Sequence, residues 1–211
     1  MSKVRSALSW VVVALLLAVG AVLLTANGAV GQRNPPPTAI DAGSGAPPPA
    51  VPPLARSAPV TLSIPALGLT TTLDRVGLTP DGTVQDPASF DRPSWYRPGA
   101  TPGERGSAVI LGHVDSYRGP AVFFRLADLR PGDAIDVTRT DGRTAHFMVT
   151  RTETVSKNDF PARAVYADHG VPELQLVTCG GEFDIGNRSY LSNVIIYSVL
   201  TDPSAAATRS G

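Results

Sequence analysis

Ala134-Ile135-Asp136-Val137-Thr138, then Asp141-Gly142, then Ala145-His146-Phe147-Met148-Val149-Thr150 is the stretch that decides the fold class. On both sides of the Asp-Gly pair, apolar residues recur largely at alternate positions. That is the spacing of a strand with one face against a core. Asp-Gly is a hairpin signal, because both central residues of the tightest hairpin turn need positive φ. The stretch therefore predicts two antiparallel strands joined by a short turn.

Similar material lies on either side. Val60-Thr61-Leu62-Ser63-Ile64 alternates and stops at Pro65, and Thr70 to Val76 forms a second run, followed by another Asp-Gly pair at Asp81-Gly82. Ser107 to Leu111 is a short apolar run. Glu173-Leu174-Gln175-Leu176-Val177-Thr178 and Val194-Ile195-Ile196-Tyr197-Ser198-Val199-Leu200 complete the set. Only short helical turns are expected, near 121–126 and 162–166. Many short strands separated by turn signals predict an all-β domain, a closed barrel of seven to eight strands with one or two short helices, with a sandwich as the alternative. No internal repeat is visible.

The chain before this domain is of two other kinds. Residues 6–32 carry no charged side chain, Lys3 and Arg5 precede them, and Trp10 to Leu24 is continuously apolar apart from Gly20. A membrane helix needs about 20 mostly apolar residues, reached here by counting from Ala7 to Ala26. The two leading cations favour a cytoplasmic N-terminus. A cleaved secretory signal is the competing expectation, since its apolar region is shorter. Both place the rest of the chain outside the membrane. Residues 33–59 hold Pro35-Pro36-Pro37, Pro47-Pro48-Pro49 and Pro52-Pro53 with Gly, Ala and Ser between them. Proline removes backbone donors and favours an extended helix without internal hydrogen bonds, so this segment is expected to be a spacer. The expected organisation is an anchor or signal over 1–32, a linker over 33–59, a β-barrel over 60–202 and a flexible tail over 203–211.

Composition excludes several functions. Eighteen basic and 18 acidic residues give a net charge of zero, which offers no basic stripe for nucleic acid. A single cysteine excludes an internal disulfide framework and a Cys-rich zinc site.

That cysteine, Cys179, ends the apolar strand 174–178 and precedes Gly180-Gly181. A free cysteine is usually a small buried hydrophobe. An exported unpaired thiol nevertheless needs a reason, and nucleophilic thiols need an imidazole nearby. Three histidines are available. His146 lies within a strand and His169 in a loop, whereas His113 follows Val109-Ile110-Leu111-Gly112 at a strand end, placed like Cys179. Acyl transfer also needs a donor for the developing oxyanion. Arg188, nine residues after Cys179, is the candidate, set against the plain alternative of a solvated cation among 16 arginines. Asp115 is expected to be a turn residue, with orientation of the imidazole as its other role.

Val109-Ile110-Leu111-Gly112-His113-Val114-Asp115-Ser116, Asp133-Ala134-Ile135-Asp136-Val137 and Leu174-Gln175-Leu176-Val177-Thr178-Cys179-Gly180-Gly181 together resemble a sortase. His113-Val114-Asp115-Ser116, Thr178-Cys179-Gly180-Gly181-Glu182-Phe183-Asp184 and Arg188-Ser189-Tyr190 are most similar to the actinobacterial class F group. The similarity extends to Ile64-Pro65-Ala66-Leu67-Gly68-Leu69 and Trp95-Tyr96-Arg97-Pro98-Gly99, and so spans about 60–200. It implies a sortase-type barrel and a cysteine transpeptidase that cleaves a Leu-Pro-x-Thr-Gly-like signal and passes the acyl group to a cell-wall or pilin amine. In that resemblance Cys179 matches the nucleophile, His113 the acid/base and Arg188 the oxyanion stabiliser. In several sortases the arginine sits in the final strand, near Asn193 here. The implied partners are secreted proteins bearing sorting signals, an amine acceptor in the wall or a pilin, and the membrane. No cofactor and no metal are expected. Two competing readings are a non-catalytic exported β-module that binds wall components and an L,D-transpeptidase-like enzyme. The second lacks support in Thr178-Cys179, because that family's signature has a glycine before the cysteine.

Overall fold

The deciding stretch folds as β8 (Ala134–Arg139) and β9 (Thr144–Ser156), paired antiparallel with Asp136 opposite His146 and Val137 opposite Ala145. Gly142, at φ 79°, makes the turn that a β-carbon would strain. Ile135, Val137, Ala145, Phe147 and Val149 are buried, and the residues between them face outward. The computed structural model describes residues 51–202.

The other strands are β1 (Pro59–Ile64), β2 (Leu69–Thr72), β3 (Asp74–Val76), β4 (Ser94–Tyr96), β5 (Gly106–Leu111), β6 (Asp115–Ser116), β7 (Gly119–Pro120), β10 (Pro172–Asp184) and β11 (Ser189–Leu200). Nine of the eleven strands form one sheet in the order β2-β1-β8-β9-β11-β10-β5-β4-β3, and β6 and β7 form a separate ribbon. The fold is an all-β, nearly closed barrel with few helices. β10 lies between β11, antiparallel, and β5, parallel. Strand number exceeds expectation because the run Thr70 to Val76 divides into β2 and β3, and because β4, β6 and β7, at three, two and two residues, are too short to show alternation. β9, β10 and β11 also run beyond their apolar runs into polar sequence, at 13, 13 and 12 residues.

Two apolar clusters lie on opposite faces of the central strands. Ile110, Leu174, Leu176, Val194 and Ile196 point into the barrel with Leu62, Phe123, Leu126, Ile135 and Phe147. Val109, Val177, Ile195 and Tyr197 point outward and are covered by α1 (Ala162–Tyr166) through Val165, Ala164 and Tyr166. Burial on both faces explains why these strands read as continuous apolar runs rather than as clean alternation.

The last part of the segment expected as spacer packs on the barrel. Leu54 N–H donates to the Gly103 carbonyl at 2.8 Å, and Ser57 N–H to Thr101 Oγ1 at 3.1 Å. The fully buried Arg139 side chain donates to the carbonyls of Ala55 and Pro102, the latter at 3.2 Å, and to Asp141 at 3.0 Å. The described residues all fall within one compact unit. The expected anchor, most of the linker and the C-terminal tail from 203 lie outside the described residues. Among the described residues no helix is long and apolar enough to cross a membrane.

Candidate active site

Strands β5 and β10 run parallel with a constant offset of 66, from Gly106 opposite Pro172 to Leu111 opposite Val177. Gly112 N–H donates to the Val177 carbonyl at 3.1 Å, which carries the pairing one step further. The same offset separates His113 from Cys179. The two side chains therefore emerge at neighbouring ends of paired strands. Alternation sets both on the outward face shared by Val109, Leu111 and Val177. Each is half-buried, and Cys179 is a free thiol.

The end of β5 is shaped by Gly112. A β-carbon there would sit 2.5 Å from Phe123 Cδ2, so only glycine lets the strand end lie against this core ring. Phe123 N–H in turn donates to the His113 carbonyl at 3.0 Å. The His113 ring is held from the other side. Its Nε2 lies 2.7 Å from the Pro87 carbonyl, and the Phe90 ring is 4.6 Å away, tilted by 40°. A carbonyl only accepts, so Nε2 carries an N–H, and Nδ1 is the ring nitrogen left to give or take a proton. Asp115 does not orient the imidazole through a direct hydrogen bond. It accepts one from the Tyr190 hydroxyl. That bond pushes the Tyr190 phenol above its ordinary value, with burial and the nearby Asp115 and Cys179 adding to the effect.

On the other side of the nucleophile, β11 sets Asn193 directly opposite Cys179, and Asn193 Nδ2 donates to the Thr178 carbonyl at 3.2 Å. Beyond Cys179 the pairing shifts between Gly180 and Phe183, and Gly181 adopts φ 76°. This bulge bends the hairpin. Asp184 then closes the turn. Its carboxylate accepts from Gly186 N–H at 2.8 Å and from the Asn187 side chain at 2.7 Å, and these bonds, the Asn187 side chain first, hold it below the usual carboxylate range. Arg188 ends the turn, exposed, at φ 50°, the one non-glycine residue with positive φ among the described residues.

The pairing thus brings Cys179 and His113 together and leaves Arg188 in the turn. Arg188 is five residues along the chain from Asn193, about 17 Å of extended strand. The contacts of Pro87, Phe90 and Tyr190 were not legible in sequence. A backbone carbonyl has no residue signature, and Tyr190 and Asp115 are 75 positions apart. Two surface cavities, of about 570 Å³ beside Asp74 and Asp86 and about 210 Å³ beside Leu67 and Phe124, are lined by neither Cys179 nor His113. Among the described residues, no three of His, Cys, Asp and Glu are grouped as metal ligands would be.

A family model described as the sortase domain matches residues 62–201, which include Cys179 and His113. The chain belongs to the sortase family. Sortases are cysteine transpeptidases associated with the outer side of the cell membrane, and they act on secreted proteins that carry sorting signals and on pilins. Among solved structures the chain is similar to sortase A from Corynebacterium diphtheriae, at 20% identity and a TM-score of 0.54 over 70% of this chain and 62% of that one. It is also similar to sortase C1 from Streptococcus agalactiae, at 18% identity and 0.54 over 68% and 67%. A sortase D5 transpeptidase from Clostridium perfringens matches at 20% and 0.52 over 69% and 79%. The chain spans less than two thirds of the first of these proteins, and at such identities the likeness is one of fold. No curated protein matches by sequence.

Proposed function

We propose that this sortase is a membrane-anchored cysteine transpeptidase of the class F type, with Cys179 as nucleophile, His113 as acid/base and Arg188 as the cation of the site. The observation that carries the reading is the β5–β10 pairing, whose offset of 66 aligns His113 with Cys179. Class F is supported by Thr178-Cys179-Gly180-Gly181-Glu182-Phe183-Asp184 and His113-Val114-Asp115-Ser116. The anchor is supported by the uncharged stretch 6–32 behind Lys3 and Arg5.

In the proposed reaction, the Cys179 thiolate attacks the threonine carbonyl of a Leu-Pro-x-Thr-Gly-like signal. The C–S bond forms and the carbonyl electron pair moves to oxygen. Collapse of this oxyanion breaks the Thr–Gly bond, and the leaving amine takes a proton from the His113 imidazolium. An amine of the cell-wall precursor or of a pilin then attacks the thioester, gives its proton to His113 and releases the thiolate. Arg188 brings positive charge to the approach to this groove from the hairpin turn, and Arg188→Ala is expected to slow acylation.

Thiol labelling tests the reading. Cys179 is expected to label in the folded chain and to be protected by a Leu-Pro-x-Thr-Gly peptide. A thiol inert in both states contradicts the assignment and favours a non-catalytic module that binds wall components.

A further inference from the structure

We propose that Asn193 donates the direct hydrogen bond to the oxyanion formed when Cys179 attacks. The inference rests on the reading of Cys179 as nucleophile and adds a residue to it. Three observations carry it. First, Asn193 is the register partner of Cys179 across the β10–β11 ladder. Directly opposed residues of an antiparallel pair project from the same face with β-carbons roughly 5 Å apart. Second, both side chains are half-buried, so neither is immersed in the core nor fully in solvent. Third, the Asn193 amide is fixed. Its Nδ2 donates to the Thr178 carbonyl, the peptide unit that leads into Cys179, at 3.2 Å. One Nδ2 hydrogen is spent on that bond. The amide has a second, geometrically fixed in the same plane. A donor held in place before the reaction needs no reorganisation when charge develops, which is what makes such donors effective.

The alternative donor on this hairpin is Arg188. It lies in the turn beyond the bulge, with no hydrogen bond or ion pair holding its guanidinium over Cys179 among the described residues. Arg188 then acts through charge at a distance, and Asn193 through contact. During acylation the carbonyl π pair moves onto oxygen as the C–S bond forms, Asn193 N–H bonds that oxygen, and the pair returns as the Thr–Gly bond breaks. No proton leaves Asn193.

The test compares two reactions of the same thiol in the full chain. Acylation by a Leu-Pro-x-Thr-Gly peptide passes through an oxyanion, whereas alkylation by iodoacetamide does not. Asn193→Ala is expected to lower acylation by about 10²–10³-fold, the usual loss for one such donor. The alkylation rate and its pH profile should stay those of the wild type. Asn193→Gln, which keeps the amide, should recover part of the loss. Arg188→Ala should cost less than Asn193→Ala. Equal falls in acylation and alkylation would make Asn193 a scaffold for the strand and overturn the proposal, as would wild-type acylation by Asn193→Ala. Failure of the wild type to form a thioester at Cys179 would instead overturn the function on which the inference rests.

Discussion

The Tyr190 hydroxyl donates a hydrogen bond to the Asp115 carboxylate, joining the hairpin that carries Cys179 to the segment just after His113. The Phe183 ring packs edge-on against Tyr190 with centroids 5.0 Å apart, so the phenol is held from behind. Tyr190→Phe keeps that packing and removes the bond. The expected loss is about 1 kcal/mol, small for a bond to a carboxylate because the pair is partly exposed. In a double-mutant cycle by urea unfolding, Tyr190→Phe and Asp115→Asn should fall short of additivity. Strict additivity would mean that the two residues do not share an interaction.

Gly112→Ala places a methyl group 2.5 Å from Phe123. Something must shift, at about 1–3 kcal/mol for an overpacked site. Because Phe123 also bonds the His113 carbonyl, the shift reaches the imidazole and turnover should fall more than stability. Gly77→Ala is the control. Its added methyl meets only Gln85 Oε1 at 3.5 Å, an ordinary contact at an unstrained φ. Thermal unfolding of the two variants should differ clearly, and similar values would remove the packing argument.

Arg139 shows what the segment before β1 contributes. Its buried guanidinium satisfies the carbonyls of Ala55 and Pro102 and pairs with Asp141, and burial pulls its pKa below the usual arginine value. Arg139→Met removes the charge but strands these acceptors. Destabilisation of about 3 kcal/mol is expected, as for breaking a buried pair. Limited proteolysis should then cut near Ala55 faster than in the wild type. An unchanged unfolding midpoint would show that the strap adds nothing to the barrel.

A pH dependence follows from His169. The Glu173 carboxylate bonds His169 Nδ1 at 2.6 Å and raises the imidazole above its ordinary 6.5. A raised folded value means that the charged form is favoured by folding. The stabilisation is therefore complete below 6.5 and disappears as pH rises through the raised value. The wild type should melt above His169→Gln in acid, and the two curves should converge in alkali. A gap that widens with rising pH would contradict this sign.

The barrel was legible in sequence where one face of a strand is wet, as in 134–150, and where a strand is apolar on both faces, as in 108–111. β4 was not, since three residues show no period. The candidate site was legible in part. Cys179 and His113 stood out because each ends an apolar run beside a glycine, and the resemblance carried them to a sortase. Their adjacency depends on the parallel β5–β10 register, a long-range pairing that no local pattern encodes. Between Cys179 and Arg188 a bulge and a turn intervene, and sequence spacing cannot report the bend they make. Asn193 stands opposite Cys179 through the hairpin register, which no local pattern encodes either.

The account turns on a thioester at Cys179, and intact-protein mass spectrometry reads it directly. The full chain, incubated with a Leu-Pro-x-Thr-Gly peptide and no amine, should gain the mass of the peptide up to threonine, on a fragment containing Cys179. The adduct should be lost on adding an amine, and Cys179→Ala should never acquire it. An adduct that persists in Cys179→Ala, or a wild type that cleaves the peptide with no adduct at Cys179, would contradict the account.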